Sequence, residues 1–129
     1  MAKENKNYTE LEIYTEAMQM SRELRESVKH MKRYYRFDVG DEIRQMLRDM
    51  KYIISDIHSK PNKCKYDPLC LLVDKINHLE IALTDCLEDE ALSLRGRYNI
   101  SLPLQRLDKI KSQAEHWKSY IHDKYVQEV

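Results

Sequence analysis

The sequence predicts an all-α protein, an antiparallel up-down-up-down four-helix bundle that forms a single domain over residues 1–129. Apolar residues recur at spacings of three and four in four separate segments. The 129 residues include only two glycines and three prolines, and 34% are charged while 42% are apolar. Because the breaks between the segments are short, consecutive helices are expected to lie side by side and antiparallel. Residues 1–8 are predicted to be a flexible N-terminus.

Capping residues mark the starts of the first two helices. Thr9 and Glu12 have the spacing of a capping box, which places the first start at Thr9. Asp38 is a favourable N-cap for the second helix, which is expected to end before the loop around Pro61. The first apolar stripe consists of Ala17, Met20, Leu24, Val28 and Met31. The second consists of Val39, Ile43, Met46, Met50, Ile53 and Ile57, widened by Leu47 and Ile54.

Proline and glycine guide the bounds of the other two helices. Asp67 followed by Pro68 predicts the third start, and Gly96 is predicted to end that helix as a left-handed residue. The fourth helix is expected to begin at Ser101, with Pro103 in its first turn. The third stripe is Leu69, Leu72, Val73, Ile76, Leu79, Leu83, Cys86 and Leu87. The fourth is Leu104, Leu107, Ile110, Ala114, Trp117 and Ile121.

The sequence gives no pattern of catalytic or metal-binding residues. Di-iron bundles use Glu-x-x-His pairs, and none of the five histidines has a carboxylate three residues before it. His58, Cys64 and Cys70 form a loose group, but their spacing matches no zinc motif. An exposed histidine and ordinary cysteines are the more common interpretation of such a group. We therefore predict that the protein is not an enzyme and uses no cofactor or metal.

Charge and cysteine content restrict the possible partners and compartment. Lys and Arg number 22, as do Asp and Glu, so the net charge is zero and nucleic-acid contact would need a local patch. Three cysteines, an odd number, fit a reducing compartment. The longest apolar run, "LCLLV", is far too short for a membrane span. We expect a cytoplasmic protein without a membrane partner.

One end of the predicted bundle collects basic and aromatic residues, and we call it the basic pole. Its candidate nucleic-acid or partner-binding residues are Arg33, Arg36, Arg95, Arg97, Arg106, Tyr34, Tyr35 and Tyr98. Arginines interleaved with aromatics suit phosphate contact and base stacking. Acidic residues share this end, so a solvated surface with local ion pairs, or a protein contact, remain alternatives. A second, smaller basic patch contains Lys60, Lys63, Lys65, Lys118 and Lys124, for which a solvated loop is the more common interpretation.

Residues 33–57 resemble a family of small bacterial four-helix-bundle proteins. The order "RYYRFDVGDEIRQML" is similar to an Arg-Tyr-x-Leu-Gly-x-x-Ile pattern in the accessory variability determinants of diversity-generating retroelements. Arg36, Phe37, Val39, Gly40 and Ile43 match it, with Phe for Tyr and Val for Leu. The segments "HLEIALTDCLEDEALS" and "LPLQRLDKIKSQAEHWKSYI", which contains Trp117, resemble the family's third and last helices. The related 23S rRNA intervening-sequence proteins carry an Asn-x-x-Glu-Gly ending on helix two, which this chain lacks.

The resemblance implies a homopentameric protein without catalytic activity that binds a retroelement reverse transcriptase and nucleic acid, either RNA or DNA. Phe37, Val39, Gly40, Ile43 and Trp117 would be its structural signature. A second hypothesis, motivated by the zero net charge, is a structural or protein-interaction bundle with no nucleic-acid role.

Gly40 raises a separate question, because glycine inside a helix costs about 1 kcal/mol relative to alanine. It follows the predicted cap Asp38 by two residues, so it falls in the first turn of helix two. Without a side chain there, the start of this helix can closely approach a neighbouring helix or the aromatic cluster of Tyr34, Tyr35 and Phe37. We therefore predict close packing against Gly40.

Overall fold

Four long helices make up the part of the chain that the structure describes. The computed structural model describes the backbone of residues 2–31, 36–88 and 94–126, and the side chains of residues 12–31, 36–86 and 100–126. The helices are α1 (Ala2–Lys29), α2 (Val39–Ser59), α3 (Tyr66–Glu88) and α4 (Leu94–Ile121). A short 3-10 turn (Asn62–Cys64) precedes α3, and a π-helical turn (His122–Val126) follows α4. The predicted all-helical fold class is confirmed over these residues.

The four helices bury their apolar stripes in one common core. α1 packs against α4 and α2, and α3 packs against α2 and α4. In α2 the fully internal positions are Ile43, Leu47, Met50, Ile54 and Ile57. Their spacing of four and three keeps one face inward. Val39, Met46 and Ile53, which the sequence placed on the same stripe, lie at its edge and are partly buried.

Three of the four helices begin earlier than the sequence predicts. α1 begins at Ala2 rather than Thr9, so Thr9 is not its N-cap; the prediction of a flexible segment over residues 1–8 is not tested by this. α3 begins at Tyr66, because the Lys65 carbonyl accepts the N–H of Leu69 at 3.0 Å. The predicted cap Asp67 therefore lies inside the first turn of α3.

α2 begins where it was predicted to begin. Asp38 precedes the helix, and its carbonyl accepts the N–H of Glu42 at 3.2 Å. The Asp38 side chain, however, makes no capping hydrogen bond. The position of this helix start is therefore confirmed, although the carboxylate does not secure it in the expected way.

The start of α4 differs most from the prediction. The helix begins at Leu94, so Gly96 lies in its first turn and does not end α3 as a left-handed residue. Ser101 is consequently not a cap, and Pro103 lies inside the helix rather than in its first turn. An internal proline lacks one helical N–H and typically costs about 3 kcal/mol. Pro103 and Ile100 are both buried, and this packing offsets part of that cost.

The connection between α2 and α3 packs on the end of α4. Lys65 belongs to the predicted second basic patch, but only 4% of it is exposed and its Nζ lies 5.5 Å from the centre of the Trp117 ring. Next to it, the Tyr66 ring lies 5.4 Å from that of His122. The hydrogen bond with the Cys70 thiol is the main cause that raises the pKa of Tyr66 above its ordinary value. Lys65 is therefore part of the packing and not part of a solvated basic surface.

Candidate interaction site

Most residues of the basic pole lie outside the side chains that the structure describes. Arg33, Tyr34 and Tyr35 fall between α1 and α2, in a segment that is not described. Arg95, Arg97 and Tyr98 lie on the first turns of α4, where only the backbone is described. The convergence of these six residues on one surface therefore stays a prediction. The structure describes the side chains of Arg36 and Arg106.

Arg36 lies beside an exposed aromatic ring just before α2. Its Cζ atom is 5.8 Å from the centre of the Phe37 ring, which is within the range of a cation–π contact. Phe37 is 67% exposed, so this signature residue faces outward and does not belong to the core. Arg36 makes no ion pair with any carboxylate of the described residues. Together the two side chains place a cation beside an exposed aromatic ring.

Arg106 does not join the basic pole. Its Nε donates to both carboxylate oxygens of Glu23, at 2.9 and 3.0 Å, and its Nη1 donates to Glu16 at 3.2 Å. These bonds, the one to Glu23 first, raise the pKa of Arg106 further above its already high value. Because α4 begins at Leu94, Arg106 lies in the fourth turn of the helix, away from its start. Its ion pairs with Glu16 and Glu23 connect α4 to α1. Arg106 is therefore no longer a candidate for phosphate contact.

Gly40 lies where the start of α2 packs against the end of α1. A Cβ atom at this position would lie 2.9 Å from Cγ1 of Val28 and 3.7 Å from Sδ of Met31. Carbon atoms in ordinary contact are about 3.5–4.0 Å apart. The predicted close packing is confirmed for the neighbouring helix, whereas Tyr34 and Tyr35 of the aromatic cluster lie outside the described residues.

The other signature residues serve the core. Ile43 and Trp117 are buried at 0% and 5% exposure, and Val39 is partly buried against the same cluster. The Trp117 Nε1 and the Gln113 Oε1 are buried, and neither has a hydrogen-bond partner among the described residues. Ile43, Val39 and Trp117 therefore contribute to packing between the helices rather than to binding of a ligand.

A groove opens on the surface between α1 and α2, and we call it the α1/α2 groove. It has a volume of about 230 Å³. Its apolar lining consists of Tyr14, Ala17, Met18 and Met20 from α1 and Leu47, Met50 and Ile54 from α2. Leu47, Met50 and Ile54 are core residues, so the groove reaches down to the core. Sequence reasoning did not identify this groove.

Three cations line the α1/α2 groove. Arg22 and Arg25 come from α1 and Lys51 from α2, and all three are exposed. None of them makes an ion pair or hydrogen bond with another described residue. Elsewhere many cations are neutralised, for example Arg44 by Asp41 at 2.8 Å. The groove therefore combines apolar walls with positive charge, a chemistry that attracts an anionic, partly apolar group.

The spacing of these cations gives a partial signal in the sequence. Arg22 and Arg25 are three residues apart and share a helix face with Met18. That pattern is equally typical of a solvated helix face. Only the separation of α1 and α2, which the sequence does not encode locally, distinguishes a groove from such a face.

The described residues offer no metal site or membrane-spanning helix. Among the described side chains, those of residues 12–31, 36–86 and 100–126, the His, Cys, Asp and Glu residues form no group of three that could hold a metal ion. Within the described part of the chain, no helix is long and apolar enough to cross a bilayer.

Comparison with known proteins leaves the family open. No family model, curated protein or solved structure matches this chain. The resemblance of residues 33–57 to the accessory variability determinants therefore stays a prediction.

Proposed function

We propose that this chain is a non-enzymatic accessory protein whose helical bundle binds a protein partner through the α1/α2 groove. The observation that carries the proposal is a set of three cations around an apolar groove, Arg22, Arg25 and Lys51, which make no ion pair with a described residue, in a chain of zero net charge. An amphipathic helix that carries both apolar and acidic residues is the partner that this chemistry favours, because helices bind in such grooves through one apolar face.

The proposal includes the finer architecture that the sequence predicts, an up-down-up-down bundle. Support comes from contacts between helix ends, since the start of α2 at Gly40 packs on the end of α1 at Val28. Ion pairs between α1 and α4 run in opposite chain order, because Glu16 pairs with Lys109 and Glu23 with Arg106. Antiparallel neighbours produce this order.

The proposed biological setting rests on the resemblance alone. It would make the chain an oligomeric protein, a pentamer, that assists a retroelement reverse transcriptase in the cytoplasm. The groove is the surface through which we propose that such an enzyme, or another subunit of the assembly, is bound.

The groove can be tested with anilinonaphthalene sulfonate, a dye that joins apolar rings to an anionic group. We expect the folded protein to bind it and to raise its fluorescence. Arg22→Glu/Arg25→Glu should weaken binding by about tenfold, since each exposed charge contact contributes up to about 1 kcal/mol and tenfold corresponds to about 1.4 kcal/mol.

A matched control variant has the same change of net charge, but at residues that lie outside the groove. Lys63→Glu/Lys118→Glu alters two cations that make no ion pair with described residues and lie outside the groove. This variant should bind the dye as the unaltered protein does. Equal weakening in both variants, or unchanged binding in Arg22→Glu/Arg25→Glu, would refute the groove as the binding site.

A second candidate function is nucleic-acid binding at the basic pole. Arg36 favours it, because this arginine makes no ion pair with a described carboxylate and lies over the exposed ring of Phe37. Neutralising Arg33, Arg36, Arg95 and Arg97 together should weaken RNA binding and flatten its dependence on salt. Unchanged binding by this variant would exclude the pole as the nucleic-acid site.

A further inference from the structure

The outer face of α3 carries a second unusual surface, which we call the α3 stripe. It consists of Asp67, Leu71, Asp74, His78, Ile81 and Asp85. The intervals alternate between four and three residues, so all six share one helix face. Every one of them is exposed, and two are large apolar residues, Leu71 at 48% and Ile81 at 58% exposure.

The acidic residues of the α3 stripe have no cationic partner among the side chains that the structure describes. Asp74 and Asp85 make no ion pair or hydrogen bond with any described residue. In contrast, Glu80, one residue before Ile81 on the same helix, pairs with Lys111 at 3.8 Å. The stripe thus joins exposed apolar groups to uncompensated negative charge, which is the opposite of the charge in the α1/α2 groove.

We infer that the α3 stripe of one copy of this chain docks into the α1/α2 groove of a second copy. The inference rests on the proposed function and names the partner of the groove. Apolar Leu71 and Ile81 would meet the walls of the groove, and the aspartates would meet its three cations. Among the described residues, the charges of both surfaces are otherwise uncompensated, although the whole chain has as many acidic as basic residues.

The lengths of the two surfaces agree. Along α1 the groove extends over eleven steps from Tyr14 to Arg25, and Leu71 is ten steps from Ile81. At about 1.5 Å per step these lengths are roughly 16 and 15 Å. The segment of the α3 stripe from Leu71 to Ile81, with Asp74 between them, can therefore cover the groove.

α3 packs against α2 and α4 rather than α1, so its outer face and the α1/α2 groove lie on different sides of the bundle and the contact would be heterologous. Each copy would offer its groove to one neighbour and its stripe to another. Heterologous contacts form a closed ring when the rotation between copies closes, and an open filament when it does not.

Sedimentation velocity on the full chain tests the inference with two variants. Arg22→Glu/Arg25→Glu alters the groove, and Leu71→Glu/Ile81→Glu alters the stripe. The unaltered protein should associate at high micromolar concentration, and each variant alone should sediment as a monomer. Far-UV circular dichroism should show that both variants fold, because the substituted side chains are exposed.

Mixing the two variants gives the sharpest result. The groove variant retains its stripe, and the stripe variant retains its groove, so one native contact can form. The other contact would oppose acidic surfaces. We therefore expect a heterodimer and nothing larger. Both variants are more acidic than the unaltered protein, so net attraction between them cannot produce this species.

Three outcomes would overturn the inference, and they are distinct from failure of the proposed function. A monomeric unaltered protein whose groove still binds anilinonaphthalene sulfonate would show that the groove serves a different acidic partner. An associated protein whose size is unchanged in both variants would place the contact elsewhere. Lys63→Glu/Lys118→Glu should retain the unaltered size, and loss of association there would indicate a non-specific charge effect. Absence of dye binding as well as association would refute the proposed function too.

Discussion

Gly40→Ala should destabilise the protein even though alanine is the better helix former. The new Cβ atom would lie 2.9 Å from Cγ1 of Val28, a fully buried side chain. Restoring an ordinary carbon–carbon distance requires a shift of roughly 0.6–1 Å. Overpacking of this kind costs about 1–3 kcal/mol. The helix-propensity gain of up to about 1 kcal/mol opposes it, and we expect a net loss of about 1–2 kcal/mol.

A double-mutant cycle isolates this contact. Val28→Ala removes two buried methyl groups, at about 0.8 kcal/mol each plus the cost of a cavity. In Gly40→Ala/Val28→Ala the added methyl group enters the space that Val28 vacates. The double variant should therefore be more stable than the sum of the single losses predicts, by about 1–2 kcal/mol.

Urea unfolding, monitored by far-UV circular dichroism, gives the free energy of unfolding of all three variants. In thermal unfolding, a loss of 1 kcal/mol corresponds to a fall in Tm of about 4 °C for a domain of this size. If Gly40→Ala is as stable as the unaltered protein, or the losses add within about 0.5 kcal/mol, close approach of Val28 is not the reason for this glycine. Gly40→Leu should have a larger effect on Tm and on assembly than any single charge change at the basic pole.

The remaining predictions concern charged and aromatic contacts. Arg106→Leu should lower the free energy of unfolding by about 1–3 kcal/mol, because it leaves the Glu23 carboxylate without its charged hydrogen bonds; an unchanged urea midpoint would contradict this. The raised pKa of Tyr66 means that the folded state holds this proton more tightly, so its stabilising contribution is present below pH of about 10 and is lost as the pH rises further. The free energy of unfolding of Tyr66→Phe should therefore fall less between neutral and alkaline pH than that of the unaltered protein. Identical pH profiles of the two proteins would contradict that expectation. Lys65→Met should lower Tm through the lost cation–π contact with Trp117, which contributes about 1–2 kcal/mol when desolvated; Lys63→Met, at an exposed position on the same loop, should leave Tm unchanged.

Helical periodicity made the core predictable from the sequence. The stripe positions Leu24, Leu83 and Ile110 are all fully buried, because a face that repeats at three and four residues must turn toward other helices. Ends of helices were less predictable. Ser101 and Pro103 have the local chemistry of a helix start, but buried Ile100 extends the apolar face upstream, and tertiary packing prevails over the local preference.

The candidate site was much less accessible to sequence reasoning. Arg106 and Arg36 look alike in the sequence, but the register of α4 against α1 brings Arg106 to Glu23 and leaves Arg36 beside Phe37. The α1/α2 groove depends on the distance between two helices. No local pattern of residues specifies that distance, whereas the spacing of Asp74 and Ile81 on α3 could have been recognised directly.

The placement of Trp117 gives the protein an internal optical reporter. It is the single tryptophan, and Lys65 covers its ring at the end of α4. Gly40 lies at the other end of α2, a helix of 21 residues and therefore about 30 Å long. Tryptophan emission thus follows one end of the molecule, whereas circular dichroism follows all helices. Coincidence of the two unfolding curves would establish that both ends melt cooperatively, and separation would reveal an end that opens first.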